Sequence, residues 1–549
     1  MDEKNRNSKR SRRDFIGGFA AATGGLAMLS ANPVHGTTKS VQVFHTNAES
    51  ILPVFNVKDF GAKGDGVFLN TRAIQSAIDQ CTKNGGGTVF FPQGNFLTGT
   101  LELKTNVNLY LSAGTTVFAS GDLKEYRFKC LLYAQDAKNI SITGRGTING
   151  NGESFWAELL KQALSEDEIN RRMRRPEWMM QFLRCDNLLL EGVTIINSPR
   201  WSIHPIDCEG VTITGITILN GVYEKDGPNT DGINPDGCSK VRISDCHLQC
   251  GDDCIVLKIT DREGGNKFCR DVVVTNCILQ SSETALKIGS ESNGEFRNIV
   301  FSNCAIRDSG CGFGLWMRDG GVIDGVIVSN ITLETSGLKN GGQVIYMWTH
   351  PRRKDGAFGA VRNISIVNVI ANGYGGIFIS GAKEKYISGL TLDNVRIFVG
   401  PGRETDFHQD PPYPFTVWGH QVAPFDIMCR YVEDLKLRNV QFTWAKEEKE
   451  EWGSAIRCWY IRGLEISGFN GRQSLRSKSA AIWLKEVKGA YIYNCRAPKD
   501  TGAVFQFDEG TTQVTLMSNE FSQAKKLSLK PINKNELFES GNRLPASAK

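Results

Sequence analysis

The 549-residue sequence predicts an all-β fold, a single-domain parallel β-helix solenoid with a short N-terminal capping helix and loop insertions. Three observations predict it: an internal repeat, period-two alternation inside each repeat, and turn residues of left-handed tolerance punctuating it.

Twelve segments share one grammar, beginning at Asn187, Gly210, Lys240, Asp271, Asn298, Gly325, Asn363, Gly389, Asp434, Gly463, Gly489 and Gln513. A polar residue opens each, β-branched or leucine residues alternate with polar ones, an Asn, Asp or Gly interrupts, and a second short apolar strand follows. Alternation means strands with one buried face, and Asn, Asp and Gly tolerate the left-handed backbone of sharp corners. Each repeat therefore reads as two strands with a bend between them. Successive starts lie 23 to 45 residues apart. A short base period with occasional long steps is what stacked coils with loops on particular corners give. One coil cannot bury its own apolar face, so neighbours stack and share a continuous core. The Leu/Asn consensus of a leucine-rich repeat and the Trp-Asp or kelch signatures of a propeller are missing.

Ahead of the coils, apolar residues at helical spacing between Asn70 and Asp79 predict an amphipathic helix behind an Asn/Thr start. An open solenoid end needs such a polar-faced cap. Gly85-Gly86-Gly87 lacks the Gly-Lys-Ser/Thr of a phosphate loop and reads as entry to the first strand. A charged insertion from Gly152 to Pro176, with Glu166, Asp167, Glu168, Arg171, Arg172, Arg174 and Arg175, is expected to be a solvated helix and loop at the rim. Arg352 and Arg353, in His350-Pro351-Arg352-Arg353-Lys354, are expected on a solvated loop, and this insertion and the stretch from Pro401 to Pro424 are expected to wall a cleft.

The formal charge of +5 comes mostly from residues 1–13, where Lys4, Arg6, Lys9, Arg10, Arg12 and Arg13 face only Asp2 and Glu3. The remaining body is near neutral, which gives no electrostatic case for nucleic acid or membrane partners. Ser11-Arg12-Arg13-Asp14-Phe15 followed by a Gly/Ala-rich run to Ala31 reads as a twin-arginine export signal, too short and glycine-broken for a membrane anchor. The expected organisation is a signal at 1–36, removed on export, a linker at 37–52 and the β-helix at 53–549, periplasmic or secreted. Of the fifteen cysteines several, Cys246, Cys277, Cys304 and Cys495, recur at matching places in short strands, and they read as small buried hydrophobes; twin-arginine export, which carries chains already folded, suits such unpaired thiols. No Cys or His spacing suits zinc, and no metal or cofactor is expected.

Acidic residues are mostly scattered, but three carboxylates fall on adjacent coils: Asp231 in Asn229-Thr230-Asp231-Gly232-Ile233-Asn234-Pro235-Asp236, and Asp252 and Asp253 in Gly251-Asp252-Asp253-Cys254. Stacking sets the two turns about 4.8 Å apart. Like charges that close raise at least one pKa and hold a carboxylic acid protonated near neutrality. A protonated acid beside an ionised carboxylate is the pairing that glycosidic hydrolysis requires. An Asp-Asp beside Gly can also simply cap a coil; two such turns in successive coils favour chemistry.

With the preceding Asn197-Ser198-Pro199-Arg200-Trp201-Ser202-Ile203-His204-Pro205 and the Asp59-Phe60-Gly61-Ala62 entry, these motifs resemble glycoside hydrolase family 28, the polygalacturonases and their relatives. The resemblance runs to Val328-Ser329-Asn330-Ile331. It implies a right-handed solenoid and inverting hydrolysis of a pectic or related acidic polysaccharide, with Asp252 as general acid and Asp231 and Asp253 activating water. Asn229 and His204 are then expected to touch substrate. Two departures bear on the sugar: Thr284 stands where the family carries histidine, and Trp316-Met317-Arg318 where it carries Arg-Ile-Lys. Arg318 and Lys287 are left as candidate cations for a uronate, and Trp316 as a stacking surface. Two alternatives are a polysaccharide lyase using the aspartates as calcium ligands, and a solenoid that binds carbohydrate without turnover.

Overall fold

The computed structural model describes residues 53–548 except 163–165, 222–226, 337–341, 401–425, 447, 449–451 and 531–532. The export signal, the linker and the whole stretch from Pro401 to Pro424 lie outside the described residues.

All twelve residues that open the repeats are left-handed, with φ between 55° and 76°. So are the residues that interrupt them, among them Asp245, Asn276, Asn303, Asn330, Asn368, Asn394 and Asn439. Each coil thus turns two corners where side chains usually cost about 1–2 kcal/mol, and Asn or Asp offsets that by local hydrogen bonding. The asparagines also stack: Asn330 Nδ2 donates to Asn303 Oδ1 at 3.0 Å, Asn368 to Asn330 at 3.0 Å and Asn394 to Asn368 at 2.8 Å. Between corners the strands pair in parallel and in register, as in Val241 with Val272 and Val272 with Ile299. Their inward side chains form one core running from Val57 to Ala524. The fold is the parallel β-helix expected.

At the N-terminal end, α1 (Thr71–Lys83) buries Ile74, Ala77, Ile78 and Cys81 against the first coils. Asn70 is fully buried, accepting from Lys63 N at 2.7 Å and donating to Phe68 O at 2.7 Å, so it ties the entry loop to the helix start. All fifteen cysteines are buried free thiols. Among the described residues no helix is long and apolar enough to cross a membrane.

The two-strand reading of each repeat needs correcting, because most coils carry a third strand. The relevant ones are β1 (Trp178–Leu183), β2 (Trp201–Ile206), β3 (Ile255–Ile259), β4 (Thr284–Ser292), β5 (Cys311–Met317) and β6 (Gln343–Trp348). Every residue of β3, β5 and β6 is buried, so the alternation that marks a half-exposed strand is absent from their sequence. Their inward residues, such as Ile255, Leu286 and Phe313, join the main core. Trp316, Tyr346, Trp348 and Phe378 form a separate aromatic cluster. Single bridges, Ile203 to Ile233 and Ile233 to Ile255, carry the sheet from β2 to β3 across the turn that holds Asp231.

Candidate active site

Two successive coils bring the three aspartates together. Gly232 N donates to Asp253 O at 2.9 Å and Ile233 N to Cys254 O at 2.8 Å, which zips one turn onto the next. Gly232 has to be glycine for this: a Cβ there would lie 2.4 Å from the Cys254 carbonyl oxygen. One carboxylate oxygen from each of Asp231, Asp252 and Asp253 then lies within 4.8 Å of the others.

The three have different surroundings. Asp231 is 2% exposed and accepts from Asn234 Nδ2 at 3.1 Å. Burial, and next the charge of Asp252, push its pKa well above the usual carboxylate range. Asp253 is equally buried; its Oδ1 accepts from Thr284 N at 3.2 Å and its Oδ2 from Lys287 Nζ at 2.7 Å. Asp252 is half-buried, accepting from Asp253 N at 2.8 Å on one oxygen and from Asn229 Nδ2 at 3.4 Å on the other. The cluster therefore buries two of its carboxyls, with the surroundings of Asp231 favouring its neutral form, and presents the third outward.

Two buried ammonium groups balance it. Lys287 lies 4.3 Å from the Trp316 ring centroid. Burial opposes its charge, but Asp253 more than compensates and its pKa is raised. Lys258 lies 4.6 Å from the Trp201 ring centroid and donates to Glu291 at 2.9 Å. Its pKa is raised too, with burial outweighed by Glu291, Asp231 and Asp253. Thr284 packs toward Gly314 of the next coil, where a Cβ would lie 3.0 Å from the Thr284 methyl and 3.5 Å from Trp316 Nε1. Arg318 is buried with its guanidinium 4.9 Å from the Trp348 ring centroid.

His204, expected at the substrate, is buried among aromatic rings. It is 4% exposed, flanked by Trp178 and Trp201, with Nε2 3.3 Å from Asp236 Oδ2, and burial lowers its pKa. Asp236 in turn accepts from Thr260 and Arg262, so His204 belongs to a packed polar network. Arg352 and Arg353 are both exposed, as expected of a solvated loop, and Arg352 pairs there with Asp319 at 3.0 Å and Glu291 at 3.5 Å. In the charged insertion Arg171, Arg172 and Arg174 are exposed, as expected, but Arg175 turns inward and donates to Asn229 Oδ1 at 3.0 Å. Sequence reasoning missed Lys258 and Asn234. A lysine inside the apolar run Ile255–Ile259 was the available signal for the first.

A family model for glycosyl hydrolases family 28 matches residues 81–409, more than half of the chain. The chain belongs to glycosyl hydrolases family 28. Within reach of this family-28 chain are a Vitis vinifera protein described as "Probable polygalacturonase", 27% identical over 43% of this chain and 51% of its own length. A Dickeya chrysanthemi exo-poly-alpha-D-galacturonosidase is 34% identical over 28% of this chain and 27% of that one. Among solved structures, an exopolygalacturonase from Thermotoga maritima superposes with a TM-score of 0.52 at 27% identity, covering 63% of this chain and 87% of that one. This family-28 chain spans about half the length of the first of these curated relatives and 27% of the second.

Proposed function

We propose that the protein hydrolyses glycosidic bonds in a pectic or related acidic polysaccharide, with Asp231, Asp252 and Asp253 as its acid and base. The observation carrying this reading is the geometry of the cluster, three carboxyls within 4.8 Å on neighbouring coils, and the burial of Asp231, which favours its neutral form, supports it. Ionisations so coupled belong to the cluster and not to one residue. Asp231 stores the proton while the cleft is empty. Passed to Asp252, the most exposed of the three, it goes to the leaving oxygen as the glycosidic C–O bond breaks. Asp231 and Asp253 meanwhile orient the water that bonds to the anomeric carbon and take up its proton, which restores the cluster.

Carboxyls this close lie below the ~6.5–9.5 Å usual for inversion and near the ~5–5.5 Å of retention, so retention is the second reading. Against a nucleophilic aspartate, both oxygens of Asp253 are already engaged, by Thr284 and Lys287, and Asp231 is held by Asn234. A calcium-dependent lyase fits less well, because the ammonium of Lys287 already sits 2.7 Å from Asp253 where a divalent ion would have to bind. The two lysines and Arg318 favour a uronate-containing chain. Export before action is part of the same reading, and rests on the twin-arginine motif.

Product analysis on polygalacturonan and rhamnogalacturonan tests it. Wild type is expected to release saturated reducing ends of inverted anomeric configuration by proton NMR, unaffected by chelator. Asp252→Asn is expected to be slower by about 10²–10⁴-fold. Unsaturated product lost on chelation would replace hydrolysis with elimination, and a retained anomer would replace inversion.

A further inference from the structure

We propose that Arg175 is a positioning residue that fixes the Asn229 amide and, through it, the carboxyl of Asp252. This rests on the hydrolytic reading above. Arg175 closes the charged insertion, between α2 (Glu166–Arg172) and β1. Pro176 follows it, which disfavours helix at Arg175 and ends the insertion there. The guanidinium then reaches three acceptors on two other stretches. NH1 donates to Pro199 O at 2.9 Å and to Pro228 O, and NH2 to Asn229 Oδ1 at 3.0 Å.

The orientation of the Asn229 amide follows from its partners. A guanidinium only donates and an ionised carboxylate only accepts, so the amide oxygen must face Arg175 and the amide nitrogen Asp252. Asn229 Nδ2 lies 3.4 Å from Asp252 Oδ2, and Asp253 N holds the other oxygen at 2.8 Å. Asp252 is thus held on both sides, one hold being relayed from a segment remote in sequence. Without Arg175 the amide can rotate and turn its oxygen on the carboxylate.

The relay also carries charge. Burial, and next the charge of Arg200, lower the pKa of Arg175 to about 10, while Glu177, Asp231 and Asp252 favour its cationic form; by reciprocity Arg175 favours the ionised forms of those two aspartates. Glu177 and Arg200 face Arg175 from its own side, and Asp253, Lys258 and Lys287 surround the aspartates from theirs. Removing Arg175 should therefore raise the pKa values of Asp231 and Asp252.

The test compares wild type, Arg175→Ala and Arg175→Lys. On polygalacturonan, Arg175→Ala is expected to lose about 10- to 100-fold in kcat with KM within about twofold and a pH optimum displaced upward. Arg175→Lys, which keeps the charge, is expected to return the optimum toward wild type while kcat stays low, because one ammonium cannot hold three acceptors. A raised KM with kcat unchanged would make Arg175 a substrate contact, and unchanged kcat and pH profile would make it a structural clamp; either overturns the proposal. A substrate-free readout separates this from failure of the hydrolytic reading. The Tm deficit of Arg175→Ala should be larger at pH 7 than at pH 3, where the aspartates are protonated, and a deficit equal at both pH values overturns the relay whether or not wild type cleaves the polymer.

Discussion

Asp231 shows how far a single buried carboxyl can be set against stability. Its pKa is raised by burial and by Asp252, whereas in the unfolded chain it titrates near the usual ~3.9. A raised carboxyl contributes stability that is fully present below the unfolded value and lost as pH rises through the folded one. Asp231→Asn is therefore expected to melt above wild type at pH 7, with the difference closing at about pH 4, while turnover is lost; a melting scan across pH checks it. Lys287 works in the opposite sense. Buried against Asp253 at 2.7 Å, it leaves an unpaired buried carboxylate when replaced. Lys287→Met is expected to cost about 3–5 kcal/mol, most of it recovered in Lys287→Met with Asp253→Asn. A thermal or denaturant double-mutant cycle reads this directly. Of these residues, the aspartates were legible from Asp-Gly and Asp-Asp turns on neighbouring coils, and Lys287 from its place after the departure at Thr284. Arg175 was not, because its neighbours in a charged run are exposed and nothing in their spacing marks the one that Pro176 turns inward.

At the scale of elements, the legible part of the fold is the part with one wet face. The repeats beginning at Asn187 through Gln513 alternate because their outer faces meet solvent, and their corner residues have to be left-handed. The third strands were invisible for the complementary reason: β5 is buried at all seven positions, so it reads as a short apolar run without period. The site sits along that hidden sheet, which is why its residues could be named while the strands holding them could not. The corner asparagines are separable from the strands they join. Asn330 has φ 57° and bonds to Asn303 and Asn368. Asn330→Ala is expected to lose about 2–3 kcal/mol, from left-handed strain and from two ladder bonds. Asn330→Gly keeps the conformation and is expected to lose less; comparing their melting temperatures separates strain from hydrogen bonding.

Over the whole molecule, one core threaded by thiols sets the conditions under which the chain can fold. Cysteines stack at matching registers, with Cys429 directly opposite Cys458 and Cys185 N 3.3 Å from the Cys208 sulfur, yet all fifteen are free. Burial pushes Cys81 up to about 11 and Cys130 and Cys269 up to about 12, which suppresses the reactive thiolate. The native state protects these thiols, whereas an unfolded chain exposes them all together and offers many wrong pairings. A chain of this kind has to finish its solenoid before meeting an oxidant, which accords with the folded export proposed from the leader. Ellman's reagent is expected to find essentially no reactive thiol in the native protein and all fifteen in guanidinium. Refolding yield is expected to be high with reductant and to collapse in oxidised glutathione through mispaired disulfides. Equal yields under both conditions would mean that core formation outruns thiol oxidation, and would remove the thiols as a reason for folding before export.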